Sequence, residues 1–203
     1  MKRLVIIGAS AMGRETCSYA RVCGMEVKGF LDSRDGLLDS HVGYPPIIGD
    51  VDGYSLEADD VFVCALGEPE QRRAYAAKIV AKGGLFTTII HPSAVLGENV
   101  KIGTGSIIRP MSVIGSDARI GNHVIVGTLS LVAHDCVVGD YSEISPGCHI
   151  AGRCTIGEDA FMGIHSAVVP DTTIGRGVFV AAGAVVTKSV ESGRVMGVPA
   201  VRK

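Results

Sequence analysis

Residues 90–191 read IHPSAV LGENVK IGTGSI IRPMSV IGSDAR IGNHVI VGTLSL VAHDCV VGDYSE ISPGCH IAGRCT IGEDAF MGIHSA VVPDTT IGRGVF VAAGAV VTKSVE, which is seventeen hexads without an insertion. The first residue of every hexad is aliphatic or Met, and the fifth is always Ala, Val, Ser, Cys or Thr. Gly stands second in nine of them. This period indicates a solenoid in which each hexad forms one short strand and one turn.

The hexads predict a left-handed parallel β-helix whose three-hexad coils are triangular. The first residue of a hexad points to the axis, and the fifth is small because the corner is tight. Gly at the second position is expected to supply turn angles that other residues reach only with strain. Residues eighteen apart lie above one another. Seventeen hexads make between five and six coils, so at roughly 4.8 Å per coil the prism is on the order of 27 Å long.

The six cysteines do not form a CxxC pair, so zinc ribbons and thioredoxin-type redox motifs are not indicated. Cys136 and Cys154 are eighteen apart and both stand fifth in a hexad, which favours core packing over a disulfide or a metal site. A cytosolic protein with reduced thiols is the simplest interpretation. The apolar stretch near the N-terminus is too short for a signal peptide, and no segment approaches the ~20 apolar residues of a spanning helix.

Residues 1–89 have a different pattern, in which strands alternate with helices. Strands are predicted over 2–7, 26–31, 60–66 and 86–90, and helices over 14–23 and 69–82. This alternation predicts a small parallel sheet, whose ligands bind at the carboxyl ends of the strands. We therefore expect a Rossmann-like α/β domain over residues 1–89 with a ligand site at the Gly8–Gly13 loop, Asp32 and Gly67. An all-β left-handed β-helix with a C-terminal tail is expected over residues 90–203.

The turn Gly8-Ala9-Ser10-Ala11-Met12-Gly13 is close to the dinucleotide fingerprint but has Ser10 in place of the middle glycine. One interpretation is a phosphate at the N-terminus of the following helix, with Asp32 accepting hydrogen bonds from a ribose or a base edge. The other is a turn that only lets the helix pack on the strand. The chain has 19 Lys and Arg against 21 Asp and Glu, and this balance disfavours nucleic acid or a membrane surface as partner.

His134 is the histidine that stands out among six. It is third in VAHDCV and points outward, and the adjacent Asp135 would orient the imidazole or raise its basicity. Gly152 lies one coil above, which leaves a gap beside the ring and a backbone N–H for a developing oxyanion. An ordinary surface histidine is the alternative, since no prism histidine stands first or fifth and all are expected near the surface. No second histidine has matching spacing, so a catalytic zinc is not expected.

The motif GASAMGRE, the hexads containing AHDCVVGDYSEISPGCHIAG and the terminal MGVPA together resemble the hexapeptide-repeat acyltransferases. The subgroup is the one that contains the sialic acid O-acetyltransferases and the N-acetyltransferases of nucleotide-linked 4-amino sugars. The resemblance covers essentially the whole chain, and it implies a homotrimer that uses acetyl-CoA as co-substrate and no metal. It also implies that His134 is the general base and that Asp135 is the acidic residue that enhances its basicity.

The resemblance assigns binding residues as well. The positions that match nucleotide-sugar contacts are Ser10, Ala11, Met12, Asp32, Ser33 and Gly67. The positions that match the acetyl-CoA lining are Glu143, Gly152, Ile164 and Ala182. Two positions depart from the family: the front loop reads Ala11-Met12-Gly13 instead of Gly-His-Gly, and Glu143 stands where a relative carries His near the thioester.

The activity that the resemblance implies is N-acetylation of a nucleotide-linked amino sugar for a bacterial surface glycan. Two alternatives stay open. One is O-acetylation of a sugar hydroxyl, as in sialic acid, which requires the same base. The other is a trimeric protein that binds a nucleotide-sugar without catalysis, which would need neither the His134–Asp135 pair nor Gly152 above it.

Overall fold

The computed structural model of the chain describes residues 2–197. A small parallel sheet with the spatial order β2-β1-β3-β4 opens the chain. Its elements are β1 (Arg3–Ile7), α1 (Ala11–Val22), β2 (Val27–Leu31), β3 (Asp60–Cys64), α2 (Pro69–Ala81) and β4 (Leu85–Phe86). We call this part, residues 2–86, the front domain. No helix within the described residues is long and apolar enough to cross a membrane.

The sheet of the front domain is apolar on both faces, as parallel sheets between helices are. Leu4 and Ile6 of β1 pack in one cluster with Cys17 of α1, while Val5 and Ile7 pack on the other side with Ile79 of α2. The alternation of strands and helices in the sequence therefore predicted this sheet correctly.

The glycines on either side of the start of α1 are explained by backbone geometry and packing. Gly8 has φ +98°, a left-handed angle that favours glycine. A Cβ on Gly13 would overlap the carbonyl oxygen of Gly8. Gly13 is thus required for the close approach of helix and strand, whatever the turn binds.

The rest of the chain winds into a left-handed parallel β-helix of two-residue strands. These are β5 (Ile89–Ile90), β6 (Val95–Leu96), β7 (Lys101–Ile102), β8 (Ile107–Ile108), β9 (Val113–Ile114), β10 (Arg119–Ile120), β11 (Ile125–Val126), β12 (Leu131–Val132), β13 (Val137–Val138), β14 (Glu143–Ile144), β15 (His149–Ile150), β16 (Thr155–Ile156), β17 (Phe161–Met162), β18 (Ala167–Val168), β19 (Thr173–Ile174), β20 (Phe179–Val180), β21 (Val185–Val186) and β22 (Arg194–Val195). The C-terminal tail lies outside the described residues beyond 197, and so does its MGVPA motif apart from Met196 and Gly197.

Every third strand belongs to the same side of the triangular prism. The three sides are a seven-stranded face from β5 to β22, a six-stranded face from β6 to β21 and a five-stranded face from β7 to β19. Partners in neighbouring coils up to β21 are eighteen residues apart, as in the pairs Ile120 with Val138 and Val132 with Ile150. The last strand departs from this period, because β22 pairs with β20 through Phe179 and Arg194. The predicted stacking of residues eighteen apart is confirmed.

The axis of the prism is built from the first and fifth hexad positions, as predicted. First-position side chains from Ile108 onward are buried, whereas Ile90 and Leu96 are partly exposed because no earlier coil covers them. At the fifth position, the hydroxyl of Ser142 donates to the carbonyl oxygen of Gly157 at 2.7 Å. Serine and cysteine there satisfy the corner carbonyls of the next coil.

Cys136 and Cys154 occupy this fifth position and are both buried free thiols. The Cys136 thiol donates to the carbonyl oxygen of Ala151 at 3.1 Å, and burial raises its pKa. The prediction of core packing is confirmed for both. Such a buried, protonated thiol is a poor nucleophile.

The glycines at the second hexad position have a different cause from the predicted one. The left-handed backbone angles fall at the fourth position, for example at Asn99 (φ +57°) and Arg153 (φ +59°), and at no second-position glycine. A Cβ on Gly115 would instead lie 2.5 Å from the backbone nitrogen of His134 in the next coil. The prediction that Gly supplies turn angles here is wrong, because the limit is the approach of the neighbouring coil.

The junction of the two parts differs from the sequence prediction in one respect. The single strand predicted over 86–90 is two strands, because β4 pairs with β3 in the front domain while β5 pairs with β8 in the solenoid. The chain leaves one sheet and enters the other within a few residues.

His123 is buried where the front domain meets the prism, with 7% of its surface exposed. Its ring stacks on Tyr141 at 4.7 Å between centroids and meets the ring of Phe86 edge-on at 4.5 Å. The expectation that all prism histidines lie near the surface is therefore wrong for His123. The hexad pattern shows only that the side chain points away from the axis, and the front domain covers that corner.

This burial predicts a loss of stability in mild acid. The pKa of His123 is lowered from 6.5 to about 4, mainly by burial and also by the positive charges of Arg72 and Arg73, which Asp140 opposes. Between those values the unfolded chain binds the extra proton, so stability falls as the pH falls through this window, by about 3 kcal/mol at most. We expect the unfolding free energy from urea titrations to depend less on pH in His123→Asn, because Asn does not bind a proton. Asn is chosen because it also accepts the left-handed φ of +55° at this position. An equal change of unfolding free energy with pH in the two proteins would show that His123 is not the cause.

Candidate active site

His134 and Asp135 form a hydrogen-bonded pair at the corner between the six-stranded and five-stranded faces, in the turn from β12 to β13. Nδ1 of His134 lies 2.7 Å from Oδ2 of Asp135, and the two side chains are 55% and 56% exposed. A carboxylate only accepts hydrogen bonds, so it selects the tautomer with the proton on Nδ1. The lone pair of Nε2 is then free to accept a proton.

Gly152 lies against this free nitrogen. A Cβ at position 152 would be 2.5 Å from Nε2 and 2.6 Å from Cε1 of His134, so only glycine leaves the ring in its place. Among the residues that the structure describes, the N–H of Gly152 has no hydrogen-bond acceptor. The predicted position of Gly152 above His134 is confirmed.

A cleft of about 540 Å³ opens at the carboxyl ends of the strands of the front domain, and Asp32 and Ser33 line it with Gln71 and Tyr75. The carboxylate of Asp32 accepts the N–H of Ala9 at 2.9 Å. It also accepts Nε and Nη2 of Arg34, both at 2.9 Å. Burial alone would raise the pKa of Asp32, but these hydrogen bonds outweigh it and lower the pKa. Asp32 is thus an ionised group that already has partners.

A groove of about 450 Å³ lies between the front domain and the seven-stranded face. It shares Arg34, Leu66 and Gln71 with the cleft, so the two are continuous. The predicted contacts Ser10, Met12 and Gly67 line it from the front domain, and the prism contributes Arg109, Glu143 and Ser145. Of the predicted substrate contacts, only Ala11 lines neither the cleft nor the groove.

Glu143 belongs to the contact between the front domain and the prism. Its carboxylate accepts a hydrogen bond at 3.1 Å from Nη1 of the fully buried Arg72. Arg72 also donates to the carbonyl oxygens of Leu66, Tyr141 and Ser142. Burial raises the pKa of Glu143, and the charge of Arg72 opposes the shift. The prediction that Glu143 lines acetyl-CoA stays a prediction, since the structure engages this side chain on a different face from His134.

The remaining predicted cofactor contacts lie at a second corner. Ile164 and Ala182 are exposed where the seven-stranded face turns into the six-stranded face, and the N–H of Gly183 donates to the carbonyl oxygen of Ile164 at 2.9 Å. In one copy of the chain, the six-stranded face separates this corner from His134 and Gly152. The structure therefore does not bring the four predicted cofactor contacts together within one copy.

Several residues of the cleft, the groove and their contact were missed from the sequence, among them Arg34, Arg72, Tyr75 and Arg109. Only Arg109 carried a sequence signal, because it stands second in its hexad, where nine hexads have Gly. Arg72 and Tyr75 are ordinary residues of a helix, and their role depends on what α2 packs against.

Comparisons with known proteins agree with this architecture. The model of the bacterial transferase hexapeptide (six repeats) matches residues 117–152 and 153–188, and the model of the PglD N-terminal domain matches residues 3–79. A search of curated proteins finds no match to the chain.

Solved structures are similar over nearly the whole length. The acetyltransferase domain of PglB from Neisseria gonorrhoeae FA1090, in complex with acetyl coenzyme A, is 31% identical with a TM-score of 0.86, covering 94% of this chain and 93% of that one. PerB from Caulobacter crescentus, in complex with CoA and GDP-perosamine, is 31% identical with a TM-score of 0.86, covering 100% and 98%. WeeI from Acinetobacter baumannii AYE is 29% identical with a TM-score of 0.74, covering 97% of both chains. The chain belongs to the hexapeptide-repeat acyltransferases, in the group with a PglD-type N-terminal domain.

Proposed function

We propose that this protein is an acetyl-CoA-dependent N-acetyltransferase that acetylates the amino group of a nucleotide-linked amino sugar for a bacterial surface glycan. The observation that carries the proposal is the His134–Asp135 pair with Gly152, whose N–H has no acceptor within the described residues, packed against the imidazole at Nε2. The complexes of PglB with acetyl coenzyme A and of PerB with CoA and GDP-perosamine support the two substrates. Residues 1–89 hold the nucleotide-linked sugar, and residues 90–203 carry out acyl transfer.

The mechanism follows from the geometry of the corner. The sugar amine attacks the thioester carbonyl carbon while Nε2 of His134 takes the proton of the amine. The N–H of Gly152 stabilises the oxyanion of the tetrahedral intermediate. When the C–S bond breaks, the thiolate of CoA leaves and receives the proton from His134. Asp135 holds the ring in the required tautomer throughout.

The active site is shared between copies in a homotrimer. The front domain packs on the seven-stranded face, and the corner that carries His134 is opposite that face. The six-stranded face between the two predicted cofactor corners has an outward row of mostly apolar side chains, namely Val95, Val113, Leu131, His149, Ala167 and Val185. A neighbouring copy that covers this row would bring the Ile164 corner of one copy to the His134 corner of the next. Sedimentation of a stable monomer at micromolar concentration would contradict the shared site.

The function is tested by thiol release from acetyl-CoA with a panel of UDP-, GDP- and dTDP-linked 4-amino sugars. We expect release with at least one of them and a product heavier by one acetyl group. Treatment of the product with hydroxylamine distinguishes N-acetylation from O-acetylation, because hydroxylamine cleaves esters and leaves amides intact. A hydroxylamine-sensitive product would indicate O-acetylation. Nucleotide-sugar binding without thiol release from any acceptor would indicate the non-catalytic binder.

Gly152→Ala should leave the fold intact and reduce turnover. The backbone of Gly152 is outside the left-handed region and the position faces away from the axis, so the melting temperature should change little. The new methyl group must displace the imidazole of His134, and misplacing a base by about 1 Å costs on the order of 10²-fold in rate. Calorimetry should show weaker acetyl-CoA binding and unchanged nucleotide binding. Normal turnover would show that the reaction does not take place at this corner.

A further inference from the structure

Arg109 is a buried guanidinium whose donors are not satisfied. It follows β8 on the seven-stranded face, and 4% of its surface is exposed. Within residues 2–197, Nε and Nη2 have no hydrogen-bond partner, and Nη1 lies 3.7 Å from Oε2 of the half-exposed Glu15. Buried donors without an acceptor cost free energy, so such a group is retained only where something compensates it.

The two unpaired nitrogens form one edge of the guanidinium. This chain uses the same edge elsewhere to bind two oxygens at once: Nε and Nη2 of Arg34 hold the carboxylate of Asp32, and those of Arg153 hold the carboxylate of Asp171 at 2.6 and 2.7 Å. This fork matches the spacing of oxygens in a carboxylate or a phosphate. In Arg109 the same edge is unpaired and closed to solvent, so an oxyanion in the groove would reach it after a change of the Arg109 rotamer.

The surroundings of Arg109 are suited to negative charge. It lines the groove opposite the start of α1, where Ser10 makes no side-chain capping bond in the described structure and the first turn has no acidic residue. A helix N-terminus of this kind presents free N–H groups and the positive end of the helix dipole. Glu143 also lines the groove, but it is paired with Arg72. Glu68, at the start of α2, is the other acidic lining residue.

We propose that Arg109 is a specificity-determining residue that binds the diphosphate of the substrate in this groove, between the prism and the start of α1. The inference rests on the proposed function in one respect, which is that the substrate is nucleotide-linked. The groove continues into the cleft with Asp32 and Tyr75, so a nucleoside in the cleft places its diphosphate beside Arg109. The prism would then take part in nucleotide recognition as well as in acyl transfer.

The direct test uses inorganic pyrophosphate as the probe, measured by calorimetry at low ionic strength. We expect Arg109→Met to bind pyrophosphate roughly 10- to 100-fold more weakly than the wild type, since a hydrogen bond to a charged group is lost. Arg109→Lys should be intermediate because it keeps the charge and loses the fork. Arg21→Met is the matched control, as it removes the same charge from the exposed far end of α1. Equal affinity of the wild type and Arg109→Met, or no binding to the wild type at millimolar pyrophosphate, would overturn the proposal.

A second arm separates the diphosphate site from the proposed function. The affinities of the wild type and of Arg109→Met are measured for three pairs of ligands: GDP and guanosine, UDP and uridine, and dTDP and thymidine. The loss of affinity in Arg109→Met should be confined to the diphosphates. Melting without ligand gives the folded fraction of each variant. Arg109-dependent pyrophosphate binding with no sugar acetylated would leave this inference standing and remove the proposed function. Acetylation with an unchanged KM for the sugar nucleotide in Arg109→Met would support the proposed function and overturn this inference.

Discussion

Replacing His134 with Ala should lower turnover by roughly 10²- to 10⁴-fold, the usual range for the loss of a general base. The neutral amine must lose a proton as it attacks the thioester, and Nε2 of His134 is the free base, with Gly152 packed against it. The side chain is 55% exposed and points away from the axis, so the fold should survive. Rates of thiol release, with a thermal melt on the same sample, measure both effects. Activity within a few-fold of the parent would remove His134 from the mechanism.

Asp135→Asn is the control for the role of the pair. An amide in place of the carboxylate no longer requires the tautomer with the proton on Nδ1, but the base itself remains. Turnover should therefore fall by less than in His134→Ala. The two substitutions together should cost about as much as His134→Ala alone, because Asp135 acts through the ring. A fully additive loss would show that Asp135 has a separate function.

Arg72→Met should cost roughly 3–5 kcal/mol of unfolding free energy, as expected when one partner of a buried ion pair is removed. It leaves the buried carboxylate of Glu143 without its hydrogen-bonded cation. It also removes the donor to the carbonyl oxygens of Tyr141 and Ser142, at 2.6 and 3.1 Å. Urea unfolding monitored by circular dichroism measures the loss. The loop at Leu66 and Gly67 should loosen as well, because Arg72 donates to both carbonyl oxygens.

The neighbour Arg73 provides a matched control on the same helix. Its guanidinium is 37% exposed and pairs with Asp159 at 2.8 Å. An exposed ion pair contributes on the order of 1 kcal/mol or less, so Arg73→Met should lose much less stability than Arg72→Met. A double variant with Arg72→Met and Glu143→Leu should recover part of the loss, since neither charge of this pair is then left buried without the other. Equal losses for the two arginines would show that burial of the pair is not the cause.

The sequence by itself determined the prism and the candidate catalytic corner. A six-residue period assigns each position to the axis, the corner or the surface, and this depends only on contacts between adjacent coils. The same eighteen-residue repeat also places Gly152 over His134. The small parallel sheet also followed from local patterns, because strand and helix periods are visible within a few residues.

Only the tertiary structure decided how the two parts meet. The hexads are equivalent on all three faces, so they do not show that the front domain covers the seven-stranded face and buries His123. The ion pair of Arg72 and Glu143 joins residues 71 positions apart. The unpaired guanidinium edge of Arg109 indicates an anion site only because the fold places it opposite the start of α1. Contacts of this kind depend on the complementary shapes and charges of two surfaces that are distant in the chain. No period within either part encodes them, which is why they appear only when the chain is folded.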